Sequence, residues 1–149
     1  MINFARSVLS AYGLNDQEAT ILPFGTGLIN HTWKVGIRDD QFILQRINDN
    51  VFTRPADIAY NVETVAGYLQ QHHPEYLFVA PLKTISGTTL VHHPSAGYFR
   101  MFPFVTDSHT VDVVLSAPMA YEAASAFGKF TSVLAGLNPS ALRITLPAF

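Results

Sequence analysis

The chain has 149 residues, which is enough for one domain with its own core and short for two. The formal net charge is −2 and the nine Lys and Arg residues are scattered, so the chain lacks the basic patch of a nucleic-acid-binding protein. The absence of cysteine excludes disulfides, a thiolate nucleophile and cysteine zinc sites. This composition is compatible with a cytoplasmic protein.

The balance of apolar and charged residues bears on possible partners. Charged residues make up 13% and hydrophobic residues 48% of the chain, whereas about 25% of an ordinary soluble domain is charged. Both a compact apolar domain and part of a larger protein have such a composition. We expect neither a signal peptide nor a membrane span, since there is no charged leader and no apolar run of about 18 residues.

The first half of the chain predicts a helix followed by an antiparallel meander. Apolar residues at helical spacing indicate the helix, which Gly13 can end: Phe4, Val8, Leu9 and Tyr12. Three strand-like segments come next: 20–24, 32–38 and 41–48. The last two are joined by Asp39-Asp40 at the distance of a hairpin turn.

The second half predicts a helix, further strands and another helix. Pro55 can open the first of these helices, whose apolar stripe is Ile58, Val62, Val65 and Leu69. Strands are predicted at 76–82, 88–92 and 98–105, with turn residues between them. The fold class expected is α+β, with an antiparallel sheet of about five strands.

The last predicted helix has an apolar face and a defined start and stop. Ser116 can cap it and Gly136 can end it, and its apolar face carries Met119, Ala123, Phe127, Phe130 and Leu134. The sequence then finishes on Phe149 without a polar tail. We therefore expect the chain to be a segment of a longer protein that covers this face.

Strands and helices in this order form the small lobe of protein-kinase-like folds, and particular segments strengthen the comparison. These segments are FGTGLINHTWKV (24–35), FILQRINDNVF (42–52) with Pro55, 61–65, YFRMFPFV (98–105) and AFGKF (126–130). On them the chain resembles the aminoglycoside phosphotransferase and choline kinase superfamily, and it is most similar to the N-acetylhexosamine 1-kinase branch. The resemblance implies a nucleotide-binding lobe at 1–105, and a hinge exit and connecting helix at 106–149.

The glycine-containing loop has two interpretations. A Gly-x-Gly between two strands is by itself typical of a plain hairpin turn. The resemblance instead places Gly25, Thr26 and Gly27 over the nucleotide phosphates, where a glycine backbone can approach closely because it has no Cβ. Asn30 would then donate a side-chain hydrogen bond.

Arg46 and Glu63 are the predicted charged pair. Alternation places Arg46 on the same strand face as Phe42 and Leu44. If that face meets the cleft, the guanidinium can hold the α and β phosphates of ATP, as the resemblance implies; otherwise it is a solvated arginine. The resemblance also makes Glu63 the partner of Arg46, although its position off the apolar stripe of the helix equally suits a solvent-facing glutamate.

The segment 98–105 resembles the hinge that reads adenine through its backbone. The resemblance puts Met101, Pro103, Phe104 and Val105 in the nucleotide-contacting stretch. The Pro103 carbonyl would accept from the adenine amino group and the Val105 amide would donate to the ring, an order required because proline has no N–H. Periodicity alone favours an edge strand broken by a proline.

Phosphoryl transfer needs groups that this sequence is not expected to contain. An aspartate must orient the acceptor hydroxyl, and carboxylate or amide groups must hold Mg²⁺ against the phosphates. The resemblance places these in a large lobe that begins with a His-Asp pair beyond Phe149. We therefore expect an ATP-binding lobe that is inactive alone, with no catalytic residue and no metal ligand of its own.

The expected partners are a nucleotide and, in the full enzyme, a sugar or amino-alcohol acceptor. Two alternatives remain open. One is a choline- or aminoglycoside-type kinase. The other is a naturally short, non-catalytic binding or interaction module, for which self-association through the lobe interface is a further possibility.

Overall fold

A computed structural model describes residues 2–146. The elements, in chain order, are α1 (Ile2–Leu9), β1 (Thr20–Pro23), β2 (His31–Ile37), β3 (Asp40–Arg46), α2 (Pro55–His72), β4 (Val91–His93), β5 (Gly97–Pro103) and α3 (Ala117–Val133). Single-turn 3-10 helices lie at Ser10–Tyr12, Asp16–Glu18 and Pro139–Ala141. In this part of the chain, no helix is both long and apolar enough to cross a membrane.

The five strands form one antiparallel sheet in the order β1-β2-β3-β5-β4. The predicted meander of β1 to β3 is therefore confirmed. Arg38 takes a left-handed conformation, with φ of 54°, in the tight turn between β2 and β3. β5 pairs with β3 on one side and with the short β4 on the other, so the chain leaves the sheet from an inner strand.

The main core lies between α1 and one face of the sheet. It is built from buried side chains of α1 and of four strands, among them Val8, Leu9, Ile21, Trp33, Val35, Leu44, Phe99 and Met101. Burial of such a side chain contributes roughly 1.5 to 3 kcal/mol. Helix α1 thus fixes which face of the sheet is interior.

The segment 76–82 is not a strand, contrary to the prediction. Its side chains alternate between partly buried and exposed, but the hydrogen bond to β5 is a single one, from the Leu82 amide to the Met101 carbonyl at 2.7 Å. Pro74 precedes the segment and Pro81 lies within it, and proline cannot donate to a sheet ladder. The alternation therefore reflects an extended chain without strand pairing.

Strand β4 is shorter than predicted because residues before it form a turn. The Thr88 amide donates to the Thr84 hydroxyl at 3.2 Å, and the Thr84 amide donates to the Thr88 carbonyl at 2.7 Å. These local bonds satisfy the backbone within the turn. The strand consequently begins at Val91.

Helix α3 has its predicted cap and an uneven apolar face. The Ser116 hydroxyl accepts from the Met119 amide at 3.3 Å, while the helix ends at Val133, before Gly136. Phe130 stacks against Tyr76 and Phe78, but Phe127 is 74% exposed. The described residues therefore cover only part of the face; the terminal Phe149 lies outside them.

Candidate functional site

A cavity of about 260 Å³ lies where β5 leaves the sheet. Its lining comes from the end of β1, from β3 and from the segment after β5, and includes Phe24, Ile43, Val79, Phe102, Pro103 and Val105. Ile43 and Phe102 are directly paired across β3 and β5, so they mark the sheet face that carries the cavity. A mainly apolar slot of this kind suits a flat ring.

Two backbone groups at the cavity are free to bind a ligand. The Phe104 amide donates to the Gln41 carbonyl at 3.0 Å. Because bonded and non-bonded pairs alternate in an antiparallel ladder, the Pro103 carbonyl in the neighbouring pair points away from β3. The Val105 amide has no hydrogen-bond partner among residues 2–146. An acceptor and a donor thus lie two residues apart at the edge of the slot.

The loop between β1 and β2 borders the cavity through Phe24. Phe24 contacts Phe104 edge-on, with ring centroids 5.9 Å apart, and the Thr26 hydroxyl donates to Asp112 at 3.2 Å. Gly25 has a φ of 76°, a conformation that favours glycine, whereas Gly27 has no positive φ. The backbone therefore requires glycine at position 25 and not at 27.

Asn30 anchors the far end of this loop. Its side-chain oxygen accepts from the Asn48 amide at 3.0 Å, which ties the loop to the segment after β3. The side-chain nitrogen of Asn30 makes no hydrogen bond within the described part of the chain. A donor is therefore held in place near the start of β2, and its use by a phosphate stays a prediction.

Met101 does not line the cavity. It is fully buried in the core against α1, because it lies on the face opposite to its neighbour Phe102. Its carbonyl is taken by the Leu82 amide. Met101 therefore does not share the cavity with Pro103, Phe104 and Val105, and nucleotide contact by these four residues stays a prediction.

Arg46 lies on the face predicted for it, but that face does not meet the cavity. It pairs with Phe99, which is buried in the core, while Ile43 and Phe102 line the cavity from the other face. The Arg46 Nε atom is buried without a hydrogen-bond partner. Arg46 instead lines a separate cavity of about 140 Å³ together with residues 47–50, and its phosphate role stays a prediction.

Glu63 has a different partner from the one expected. Its carboxylate accepts from the Thr89 hydroxyl at 2.5 Å, and it lines a separate cavity of about 320 Å³ between α2 and the segment 80–89. Within residues 2–146, no ion pair joins it to Arg46. The structure therefore does not bring these two predicted site residues together.

The sequence interpretation missed two cations on the cavity face. Lys34 pairs with Ile43, and its ammonium lies 3.8 Å from the centre of the Phe104 ring. Arg100 pairs with Gln45 on the same face, and its burial lowers the pKa of the guanidinium. Once the cavity face is known, alternation from Phe102 gives Arg100, and cross-strand pairing with Ile43 gives Lys34.

The described residues offer no metal centre. None of them form a group of three or more His, Asp or Glu side chains close enough to hold a metal ion.

Two solved structures have a fold similar to that of this chain. No protein-family model matches the chain. Over 99% of its length it is similar to a solved microcompartment-associated aminopropanol kinase, at 18% identity and a TM-score of 0.66, covering 43% of that chain. It is also similar to the spectinomycin phosphotransferase APH(9)-Ia, solved with ADP and spectinomycin, over 75% of this chain and 32% of that one, at 10% identity and a TM-score of 0.53.

The chain thus spans less than half the length of either protein. At these identities the likeness is one of fold, and both proteins are phosphotransferases that act on small molecules. The predicted class is confirmed: the chain has the α+β fold of a kinase-like N-terminal lobe. The assignment to the N-acetylhexosamine branch stays a prediction.

Proposed function

We propose that the chain is the nucleotide-binding lobe of an ATP-dependent small-molecule phosphotransferase. The observation that carries this proposal is the cavity at the end of β5, where an apolar slot meets the free Pro103 carbonyl and Val105 amide. Adenine presents an amino donor beside a ring nitrogen acceptor, which complements these two groups. The ADP bound to the spectinomycin phosphotransferase supports the same class of ligand.

The phosphates of the bound nucleotide would lie under the loop between β1 and β2. Gly25 and Gly27 allow the backbone amides around Thr26 to approach them, and the free nitrogen of Asn30 can donate a further hydrogen bond. The ammonium of Lys34 beside Phe104 adds positive charge at the cavity. These contacts position the triphosphate and stabilise its charge.

Chemistry on the acceptor requires residues outside this chain. We propose that residues 106–149 lead from the hinge, through α3, to a second lobe that supplies the catalytic aspartate and the Mg²⁺ ligands. The exposed Phe127 on α3 supports this role, because a second lobe would cover it. We expect no turnover by the chain alone, and ATP binding with a dissociation constant of about a millimolar or weaker.

For the acceptor we propose the hydroxyl of an N-acetylhexosamine, on the basis of the resemblance of the segments given above. Amino alcohols and aminoglycosides are the alternatives, since the structural neighbours are named for aminopropanol and spectinomycin. Turnover of the longer gene product with all three classes distinguishes them. An N-acetylhexosamine that is not phosphorylated refutes the sugar assignment.

A non-catalytic interaction module is a second candidate, favoured by the exposed apolar residues of α3. The two candidates differ in the gene. A reading frame that continues past Phe149 into His-Asp and a His-x-Asp loop supports the kinase lobe. A stop codon directly after Phe149 favours the module.

The nucleotide proposal is tested by removing the amide donor while the carbonyl acceptor is kept. Val105→Pro removes the amide donor, whereas Pro103→Ala, the matched control, keeps the carbonyl acceptor. In titrations of ¹⁵N-labelled chain with adenosine, we expect the wild type and Pro103→Ala to show shifts around the cavity and Val105→Pro to lose them. Equal binding by Val105→Pro, or shifts confined to the cavity beside Glu63, would refute the proposal.

A further inference from the structure

The cavity face of the sheet carries a row of polar side chains that the contacts proposed above do not use. From the paired Ile43 and Phe102, the next residues on the same face are Gln45 and Arg100, which are also paired. Thr32 pairs with Gln45 on the adjoining strand. The row Thr32-Gln45-Arg100 therefore crosses three strands, about 7 Å along the sheet from the ring slot.

Hydrogen bonds hold the guanidinium of Arg100 in place. Its Nε and Nη2 atoms donate to the side-chain oxygen of Gln45 at 3.0 and 2.7 Å. The side-chain nitrogen of Gln45 in turn donates to the Thr32 hydroxyl at 3.3 Å. The Nη1 atom of Arg100 has no hydrogen bond to any of the described residues. The Nε and Nη2 side of the guanidinium is thus fixed, while Nη1 can donate to a ligand.

The charge of Arg100 is not compensated. Three other arginines, Arg38, Arg54 and Arg143, each have a carboxylate within 3.0 Å. Among the residues that the structure describes, Arg100 has no carboxylate partner and is held by a neutral amide. Its burial lowers the pKa, but an arginine stays protonated in proteins. A partly buried cation without a counter-charge favours an anion.

The position of this row relative to the loop indicates where the anion would lie. The Phe24 amide donates to the Thr32 carbonyl at 2.9 Å, so the loop leaves the sheet beside the row. The same loop returns to the sheet at Asn30 and His31, and His31 is the neighbour of Thr32 on β2. A group bound beneath the loop would lie between its backbone amides and Arg100.

We propose that Arg100, positioned by Gln45 and Thr32, binds the phosphate groups of the nucleotide in the role expected of Arg46. The identity of the anion rests on the proposed function, whereas the existence of an anion site rests on the geometry of the row. A ribose spans the separation of about 7 Å between the ring slot and Arg100. Gln45 is a positioning residue, since it acts through Arg100.

The test uses the whole chain with inorganic tripolyphosphate and with adenosine as separate ligands. In the ¹⁵N-labelled wild type, tripolyphosphate is expected to shift the Nε–H signal of Arg100, a result that needs no variant to fold. Arg100→Gln should weaken tripolyphosphate binding at least tenfold. The matched control Arg46→Gln should leave the affinity unchanged, and Gln45→Ala should weaken it several-fold without loss of the folded spectrum.

The outcomes separate this inference from the proposed function. Tripolyphosphate that leaves the Arg100 Nε–H signal unmoved overturns the inference, as does a loss of binding in Arg46→Gln that is absent in Arg100→Gln. If adenosine binds in either of these cases, the nucleotide proposal stands. Binding of tripolyphosphate at Arg100 without any binding of adenosine supports the anion site and refutes the nucleotide proposal.

Discussion

Asp57→Asn tests whether the segment after α3 is fixed to α2 by charge. The carboxylate of Asp57 lies 2.8 Å from Nη1 of Arg143 and 3.0 Å from Nε of Arg54. The Asn61 side chain holds the Arg143 backbone on both its amide and its carbonyl, each at 2.8 Å. Asparagine at position 57 keeps the shape of the side chain and removes its charge, so the backbone clamp remains.

The expected loss of stability follows from the burial of the groups. The side chain of Asp57 is 12% exposed, but that of Arg143 is 50% exposed. The effect should therefore lie above the value of about 0 to 1 kcal/mol for surface pairs and below the roughly 3 to 5 kcal/mol for fully buried ones. Asp57 also lies in the first turn of α2, where a negative charge contributes about 0.3 to 1 kcal/mol. We expect a loss of about 1 to 2 kcal/mol.

Thermal and urea unfolding measure this effect against a matched control. For a chain of 149 residues, the loss corresponds to a fall in Tm of about 2 to 8 °C. Glu18→Gln breaks an ion pair of similar length, 3.0 Å to Arg38, at an exposed site, and should change stability by less than about 0.5 kcal/mol. If Asp57→Asn is no more destabilising than Glu18→Gln, the segment is not held by this carboxylate.

Gly25→Ala should destabilise the chain by about 1 to 2 kcal/mol, because the backbone at Gly25 is left-handed. Its control, Gly67→Ala, lies in open space on α2 and should stabilise the chain by about 0.5 to 1 kcal/mol. Effects of the same sign in urea unfolding would contradict this prediction. Phe130→Glu should lower stability by roughly 1.5 to 3 kcal/mol because it removes a stacked ring. Phe127→Glu should leave stability unchanged, because Phe127 is exposed, and should increase the monomer fraction in sedimentation. A wild-type chain that is already monomeric and does not bind ANS would argue against an exposed apolar patch. Burial raises the pKa of Tyr12 from 10.0 to about 12. The buried neutral phenol therefore contributes its full stability below pH 10, and this contribution is lost as the pH rises to 12. Tyr12→Phe should flatten the fall of the urea midpoint over this pH range, and an unchanged slope would contradict the prediction.

Local patterns in the sequence predict most of the elements. Alternation and turn residues give the meander of β1 to β3, and a proline and a serine mark the starts of α2 and α3. The segment 76–82 shows where alternation fails to predict a strand: its chain is extended but does not pair as part of the sheet. Whether an extended segment joins a sheet depends on the backbone hydrogen bonds it can make, which alternation does not report.

The site was predicted only in part, because alternation tells which residues share a face but not which face is covered. Leu44 and Arg46 do share a face, and Leu44 is buried in the core with α1, whereas the cavity at the end of β5 lies on the other face. Pro103 and Val105 do lie at the cavity, because the backbone role predicted for them does not depend on the choice of face; their contact with a nucleotide stays a prediction. Contacts such as Arg143 with Asp57 join residues far apart in the chain and leave no local pattern.

The most direct test of the nucleotide-binding lobe is to locate adenine on the chain. Intermolecular nuclear Overhauser effects can be measured between the adenine protons of ADP and the methyl groups of the labelled chain. We predict contacts to Ile43, Val79 and Val105, which line the cavity at the end of β5. Contacts to Val62 and Ala66 beside α2 instead would contradict the account. So would the absence of any contact at ADP concentrations well above the millimolar range.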